Sequence, residues 1–377
     1  MRRKKAGRRG KAHILYLSGI IAAFAFLLLL FRSDVAIEYM KKGLKLCADT
    51  VIPSLFPFMV ISELLVSSGL GDRLGKTPGK PIQWLFGVGE GGACAFLLGA
   101  ICGFPIGAKV LCSMEDRGMI SKRELSRALT FCNNPGSAFV ISAVGVSLFG
   151  NLRLGILLYA CVLLSAIIVG AMGRLFFHKS GERFEKAYEV AQGGRLNAAG
   201  TVTERFTEVI RGSAQAMMTV CALVTFFSSL VGCLGSVLEQ FGLPRAITAC
   251  IFGFFELSSG VGMAAEAYAA ELALILCAAF CGWSGLSVHF QVLSICAGRG
   301  INFMPYFIAK GAQGLVCATL MGLALKVLPF SEDAFADISV SVYQSTAYSN
   351  AAFICLMFFG AAVLPIILHR LLSLKRK

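Results

Sequence analysis

Six stretches of this chain, at 14–31, 154–177, 214–238, 272–296, 305–328 and 351–372, are apolar for the length that a helix needs to cross a bilayer. A helix rises about 1.5 Å per residue, so about 20 apolar residues span the roughly 30 Å hydrocarbon core. Shorter or interrupted candidates lie at 51–70, 93–112, 131–149 and 246–268. Only 15% of the residues are charged, against roughly 25% in soluble domains. A water-soluble fold has no interior for so much apolar surface, and the chain reads as an all-α polytopic membrane protein of about eight to ten transmembrane or re-entrant helices.

The net charge of +14 does not mark a nucleic-acid binder, because much of it sits at the chain ends. Arg2, Arg3, Lys4, Lys5, Arg8, Arg9 and Lys11 precede the first apolar run, and Arg370, Lys375, Arg376 and Lys377 follow the last. Short basic flanks stay inside during insertion, which places both termini in the cytoplasm of a multi-pass cell-membrane protein. The first run reads as an uncleaved signal anchor, being longer than a signal-peptide core and lacking a small-residue cleavage site before Arg32.

The organisation follows from charge and breaks. Residues 1–50 hold the basic N-terminus, the anchor and an interfacial amphipathic stretch with Lys41, Lys42 and Lys45. Residues 51–177 form a first membrane half, in which 71–83 is a loop. Residues 178–211 are a charged cytoplasmic linker, 212–330 a second half, and 331–377 an outer loop with a last span. An internal repeat is visible in Phe86-Gly-Val-Gly-Glu90 against Phe252-Gly-Phe-Phe-Glu256, then Cys102-Gly103 against Cys281-Gly282, then Arg117-Gly118 against Arg299-Gly300. Gly/Pro-interrupted apolar segments at matching places in two halves point to a carrier-like centre with broken helices, here near 102–109 and 281–287. Residues 86–112 are either a hairpin with both ends on one side or a spanning helix.

Several side chains stand at these breaks. Lys109, closing Cys102-Gly-Phe-Pro-Ile-Gly-Ala-Lys109, is either a cation that binds an anionic solute or a lysine reaching the interface beside Glu115 and Asp116. Asn133 and Asn134, in Phe131-Cys-Asn-Asn-Pro-Gly136, either cap the start of the following helix or bind a polar ligand. Ser287, His289 and Gln291 follow the Gly-rich break at 281–285. Ser287 and Gln291 share a helix face, whereas His289 lies about 200° from Ser287. They serve a solute or proton path, or they tie helices together. Glu90, Glu256 and Glu63 are candidate buried carboxylates, or interfacial ones.

The residues imply no cofactor, metal site or enzyme. The 14 cysteines form no C-x-x-C pair, which leaves zinc and iron–sulfur readings without support. Four histidines, with His13, His178 and His369 flanking spans, make no ligand set. Walker A, H-E-x-x-H and G-x-S-x-G patterns are absent. The expected partners are the lipid bilayer and a small polar solute, with no nucleic acid. The oligomeric state is not legible.

The motifs Pro53-Ser-Leu-Phe-Pro-Phe58, 102–109, 131–136 and Gly282-Trp-Ser-Gly-Leu-Ser-Val-His-Phe-Gln291 resemble those of the YlbJ-type sporulation integral membrane proteins, within the wider Gate (nucleoside-recognition) group. The resemblance covers roughly residues 50–330. It implies a helical core distantly related to membrane regions of concentrative nucleoside transporters, FeoB and the spore-maturation proteins, and a link to spore formation. It implies no substrate. The expected function is a transporter or permease-like protein for a small polar solute, or else a non-transport scaffold of the sporulation machinery.

Overall fold

The computed structural model describes residue 16 and residues 19–76, 80–177 and 202–327. The basic termini, most of the charged linker, the acidic 331–349 loop and the last apolar run lie outside the described residues. Among the described residues every regular element is helical. Five helical runs are long and apolar enough to cross a bilayer, and one bent helix pair makes a sixth candidate. The chain is a polytopic all-α membrane protein.

Helix α1 (Gly19–Phe31) precedes α2 (Ser33–Leu46), which continues through a wide turn at Cys47–Val51 into α3 (Ile52–Ser67). The interfacial stretch is thus the first part of one 35-residue run, about 52 Å long and therefore longer than one crossing. It lies along α10 (Val202–Gln240), where Gly43 meets Thr225 and Ser228, Tyr39 covers Gly232, and Ser229 donates to Ala36 O at 3.1 Å. Helix α10 begins within the stretch assigned to the linker, because Glu204, Arg205 and Glu208 face a polar cavity rather than lipid. Residues 71–83 are not simply a loop. They contribute to two short helices, α4 (Leu70–Lys76) and α5 (Lys80–Phe86).

Helices α6 (Glu90–Cys102) and α7 (Ile106–Asp116) form the hairpin. Gly103 turns with φ +83° and Phe104–Pro105 is cis. A methyl on Gly99 would lie 3.1 Å from the Gly107 Cα, and one on Gly91 would lie 3.0 Å from the Met114 sulfur. The two arms therefore run side by side, and both open ends sit on one face of the protein with Arg117 and Arg299. Next come α8 (Lys122–Cys132), a break at 133–137, the π-helical segment Ala138–Leu148, and long α9 (Leu152–Phe177).

After α10 the same order returns. Helices α11 (Arg245–Phe255) and α12 (Leu257–Ala267) make a second hairpin turning at Glu256, with Gly260 against Gly253 at the neck and Tyr268 donating to Ala246 O at the open end, 2.8 Å. Helix α13 (Ala270–Trp283), a break at Ser284 with φ 79°, and α14 (Gly285–Ile295) follow, then long α15 (Met304–Val327). Because α10 crosses from the Arg117 face to the other, the second hairpin enters from the face opposite the first. The tip of each hairpin packs on the break of the helix that follows it: Gly103 against Gly136, and Leu257 against Gly285.

This geometry changes the sequence correspondence. Cys102-Gly103 is a hairpin tip, whereas Cys281-Gly282 lies just before the break of a spanning helix. The structural counterpart of the first tip is Glu256, and that of Ser284 is the 133–137 break. Glu90 and Glu256 do share a local role, since each stands where one helix ends and the next begins.

Candidate functional site

The break after α8 follows from its sequence. Pro135 has no N–H to give, and the residue before a proline is pushed out of the helical region. The carbonyls released there need other donors. Asn134 Nδ2 bonds back to Phe131 O at 2.8 Å, so this amide closes the preceding helix rather than opening the next. Lys310 Nζ, from α15 in the other half, bonds to Asn133 O at 3.0 Å. The Cys132 carbonyl is wedged against Gly99 and Gly107 of the hairpin, where only glycine fits.

From this break a polar network reaches into the second half. Lys310 Nζ also donates to Gln313 Oε1 at 2.8 Å. Gln313 Nε2 donates to Asn134 Oδ1 at 2.7 Å and reaches Val162 O of α9 at 3.4 Å. Asn133 Nδ2 donates to the Tyr306 hydroxyl at 3.4 Å, and that hydroxyl lies 2.9 Å from His289 Nδ1. The His289 ring meets Trp283, Tyr306 and Phe307 edge to face, with centroids 4.3, 5.2 and 5.2 Å away. Lys310, Gln313, Asn134 and His289 are wholly buried, and Asn133 and Tyr306 are nearly so.

Two features of the network are unusual for a structural core. Lys310 is bonded to neutral oxygens, and the nearby titratable groups are the thiols of Cys132, Cys281 and Cys317, with no acidic partner for it among the described residues. Two buried atoms, Asn133 Oδ1 and His289 Nε2, have no hydrogen-bond partner. Buried polar atoms are paired in the great majority of cases, so orphans at the meeting point of two helix breaks mark a place that another molecule can satisfy.

Of the sequence candidates, Asn133, Asn134 and His289 come together here. Ser287 and Gln291 are buried on the same helix as His289. Lys109 is placed elsewhere: its Nζ donates to Ser213 Oγ at 2.6 Å, on the wall of an open cavity of about 920 Å³. Glu63 lines that cavity, accepting from Ser113 Oγ at 2.6 Å and Arg117 at 3.3 Å. Arg299, clamped by Glu115 and by Asp116 at 2.6 and 2.7 Å, lines it too. The Asp116 carboxylate holds the Arg299 guanidinium above its ordinary pKa. Glu90 is partly exposed, 3.8 Å from Lys76. Glu256 is buried and accepts from Ser258 N and Ser259 N at 3.0 and 2.6 Å, so its carboxylate caps α12.

Sequence reading missed Tyr306, Lys310 and Gln313. A signal for two of them was present, because Lys310 and Gln313 are polar residues three apart, on one face of a run otherwise apolar enough to span.

The chain is similar to the sporulation integral membrane protein YlbJ of Bacillus subtilis (strain 168), with 27% identity over 338 residues that cover 82% of this chain and 83% of that protein. No family model matches the chain. No solved structure matches it either. The similarity extends through both membrane halves and supports the YlbJ-type resemblance read from the motifs.

Proposed function

We propose that this YlbJ-type membrane protein acts in spore formation as a carrier for a small anionic solute, bound between the two halves at Asn133, Asn134, His289, Tyr306, Lys310 and Gln313. The observation that carries the reading is the wholly buried Lys310 amine bonded to neutral oxygens, with no acidic partner among the described residues. Ionisable residues within membrane-spanning helices are costly, and they usually mark solute or ion paths. An anion arriving beside Lys310 supplies the missing countercharge, while Asn133 and His289 offer an acceptor and a ring nitrogen for the rest of the solute.

The repeated arrangement supports carriage. Two hairpins entering from opposite faces, each seated on a broken helix, resemble the Gate-type core that the motifs suggested and the inverted-repeat plan of secondary transporters. A solute held at the centre is exchanged between faces when one half rocks against the other, at the cost of the bonds from Lys310 and Gln313 to the 133–134 break. The reading assigns the chain no catalytic chemistry. A second reading, a non-transport scaffold of the sporulation membrane, is favoured by the tightness of the core around the Cys132 carbonyl.

The test is flux in proteoliposomes holding the full chain, followed by solid-supported-membrane currents and by counterflow. The probes are acetate, succinate, benzoate and inorganic phosphate, with glucose as the neutral control. Wild type is expected to move at least one of the anions, and Lys310→Met to lose that flux at least 10-fold while eluting as a folded, monodisperse protein. No anion flux in wild type, or full flux in Lys310→Met, sinks the carrier reading in this form.

A further inference from the structure

Helix α10 borders two adjoining cavities that the central network does not use. The first is the 920 Å³ cavity on the Arg117 face, where Lys109 is bonded to the neutral Ser213 hydroxyl. The second, about 710 Å³, is apolar and formed by Met218, Ala222, Leu223, Phe290 and Leu293. Thr219 and Ser294 line both, so the polar cavity and the apolar one adjoin at these residues.

The dimensions are those of a lipid leaflet. From Glu208, in the polar cavity, to Leu223, in the apolar groove, α10 rises about 22 Å, more than half of a roughly 30 Å hydrocarbon core. The polar part sits where α3, α7 and α14 end and α10 begins, at the level of charged loops, and it carries Lys109, Arg117, Arg205 and Arg299 as well as carboxylates. The apolar part opens sideways: Met218 is 69% and Phe290 48% exposed. A soluble solute has no use for an apolar annex open to the bilayer, and an acyl chain does.

We infer that this pair of cavities is a binding site for one glycerophospholipid, its phosphate on Lys109 and one acyl chain along Met218, Leu223 and Phe290. The lining holds four cations and four carboxylates, a mixed set suited to a zwitterionic head group, and cationic side chains between membrane helices near a charged face take lipid phosphates. The phosphate adds a direct anionic partner for Lys109, whose hydrogen bond goes to the neutral Ser213 hydroxyl and which feels the Glu63 carboxylate across the cavity, and burying a chain contributes about 0.8 kcal/mol per methylene. The site is independent of the carrier reading, since no residue of the central network lines it.

Native mass spectrometry of the full chain, delipidated in mild detergent and then offered phosphatidylethanolamine or diacylglycerol, tests the inference. Wild type is expected to retain one phosphatidylethanolamine and no diacylglycerol, which lacks the phosphate. Lys109→Gln, which keeps a partner for Ser213, and Ala222→Trp, placed at an exposed position in the groove, are each expected to lower retention at least 5-fold. Equal retention of diacylglycerol, or retention unchanged in either variant, overturns the site. Ala222→Trp changes only a bilayer-facing surface, so its folding is not in question.

Discussion

Replacing Gly99 or Gly107 by alanine tests the geometry on which the central site depends. A methyl on Gly99 would stand 2.1 Å from Cys132 O, and one on Gly107 2.2 Å from the same atom. Close C···O contacts settle at about 3.3 Å, so either methyl demands a displacement of about 1.1 Å. The obstacle is a backbone carbonyl at a helix break, which cannot swing aside as a side chain does. Overpacking costs about 1–3 kcal/mol, and a backbone obstacle puts these sites at the upper end. Alanine returns about 0.5–1 kcal/mol of helix preference, leaving a net loss of about 2 kcal/mol for each variant. Gly173→Ala, with nothing within 4 Å of the new methyl, supplies the control and is expected to be neutral or slightly stabilising. The assay is thermal stability by size-exclusion chromatography in detergent, where about 2 kcal/mol lowers the midpoint of a chain of this length by about 2.5 °C. The double variant is expected to depart from additivity, because both methyls press on one oxygen. Midpoints for Gly99→Ala and Gly107→Ala that match the Gly173→Ala control refute the side-by-side hairpin and its clamp on the break.

Two further outcomes test the network and the contact between halves. Gln313→Leu strands Asn134 Oδ1 and takes one oxygen from Lys310, and at about 1–3 kcal/mol per stranded buried group it is expected to lower the thermal midpoint more than Lys310→Met does; an unchanged midpoint removes Gln313 from the network. Cys112 and Cys296, one from each half, have their sulfurs 3.4 Å apart, so a chain keeping only these two cysteines is expected to be bridged by dibromobimane with a fluorescence gain, whereas one keeping only Cys94 and Cys250 is not. Equal labelling of the two chains places α7 and α14 wrongly.

The parts of this fold that were legible in the sequence are those that follow from local chemistry. Apolar length fixes which segments can cross, and Pro135 and the Gly103–Pro105 turn break helices wherever they fall. The parts that were not legible depend on what lies opposite. The choice between hairpin and span at 86–112 is settled by Gly99 and Gly107 fitting against one carbonyl, a contact that neither residue announces. The alignment of Cys102-Gly103 with Cys281-Gly282 paired two glycines of different purpose: Gly103 turns a hairpin, while Gly282 lets α13 approach Gly314 of α15. Of the two roles open to Asn134, a cap on the next helix or a ligand contact, the first is replaced by closure of the preceding helix, because the freed Phe131 carbonyl is within reach of its own side chain. Lys310 and Gln313 were hidden by an average, since two polar residues do not lower the hydropathy of a 24-residue helix enough to interrupt it.

The break and the site are one feature seen at two scales. A helix interrupted inside a bilayer exposes carbonyls that lipid cannot satisfy, so partners have to come from protein. At 133–134 one partner comes from the same strand of chain, through Asn134, and the others come from the opposite half, through Lys310 and Gln313. One of the bonds that join the halves, from Lys310 to Asn133 O, is therefore made to a carbonyl that the break itself freed. A solute bearing an anionic oxygen competes for those same donors, so binding at the centre weakens the tie between halves while adding contacts of its own. This gives occupancy a direct physical route to relative motion. On the proposed carrier reading, a lysine without a fixed carboxylate is what the site requires, since a permanent acidic partner would satisfy the amine whether or not a solute is present.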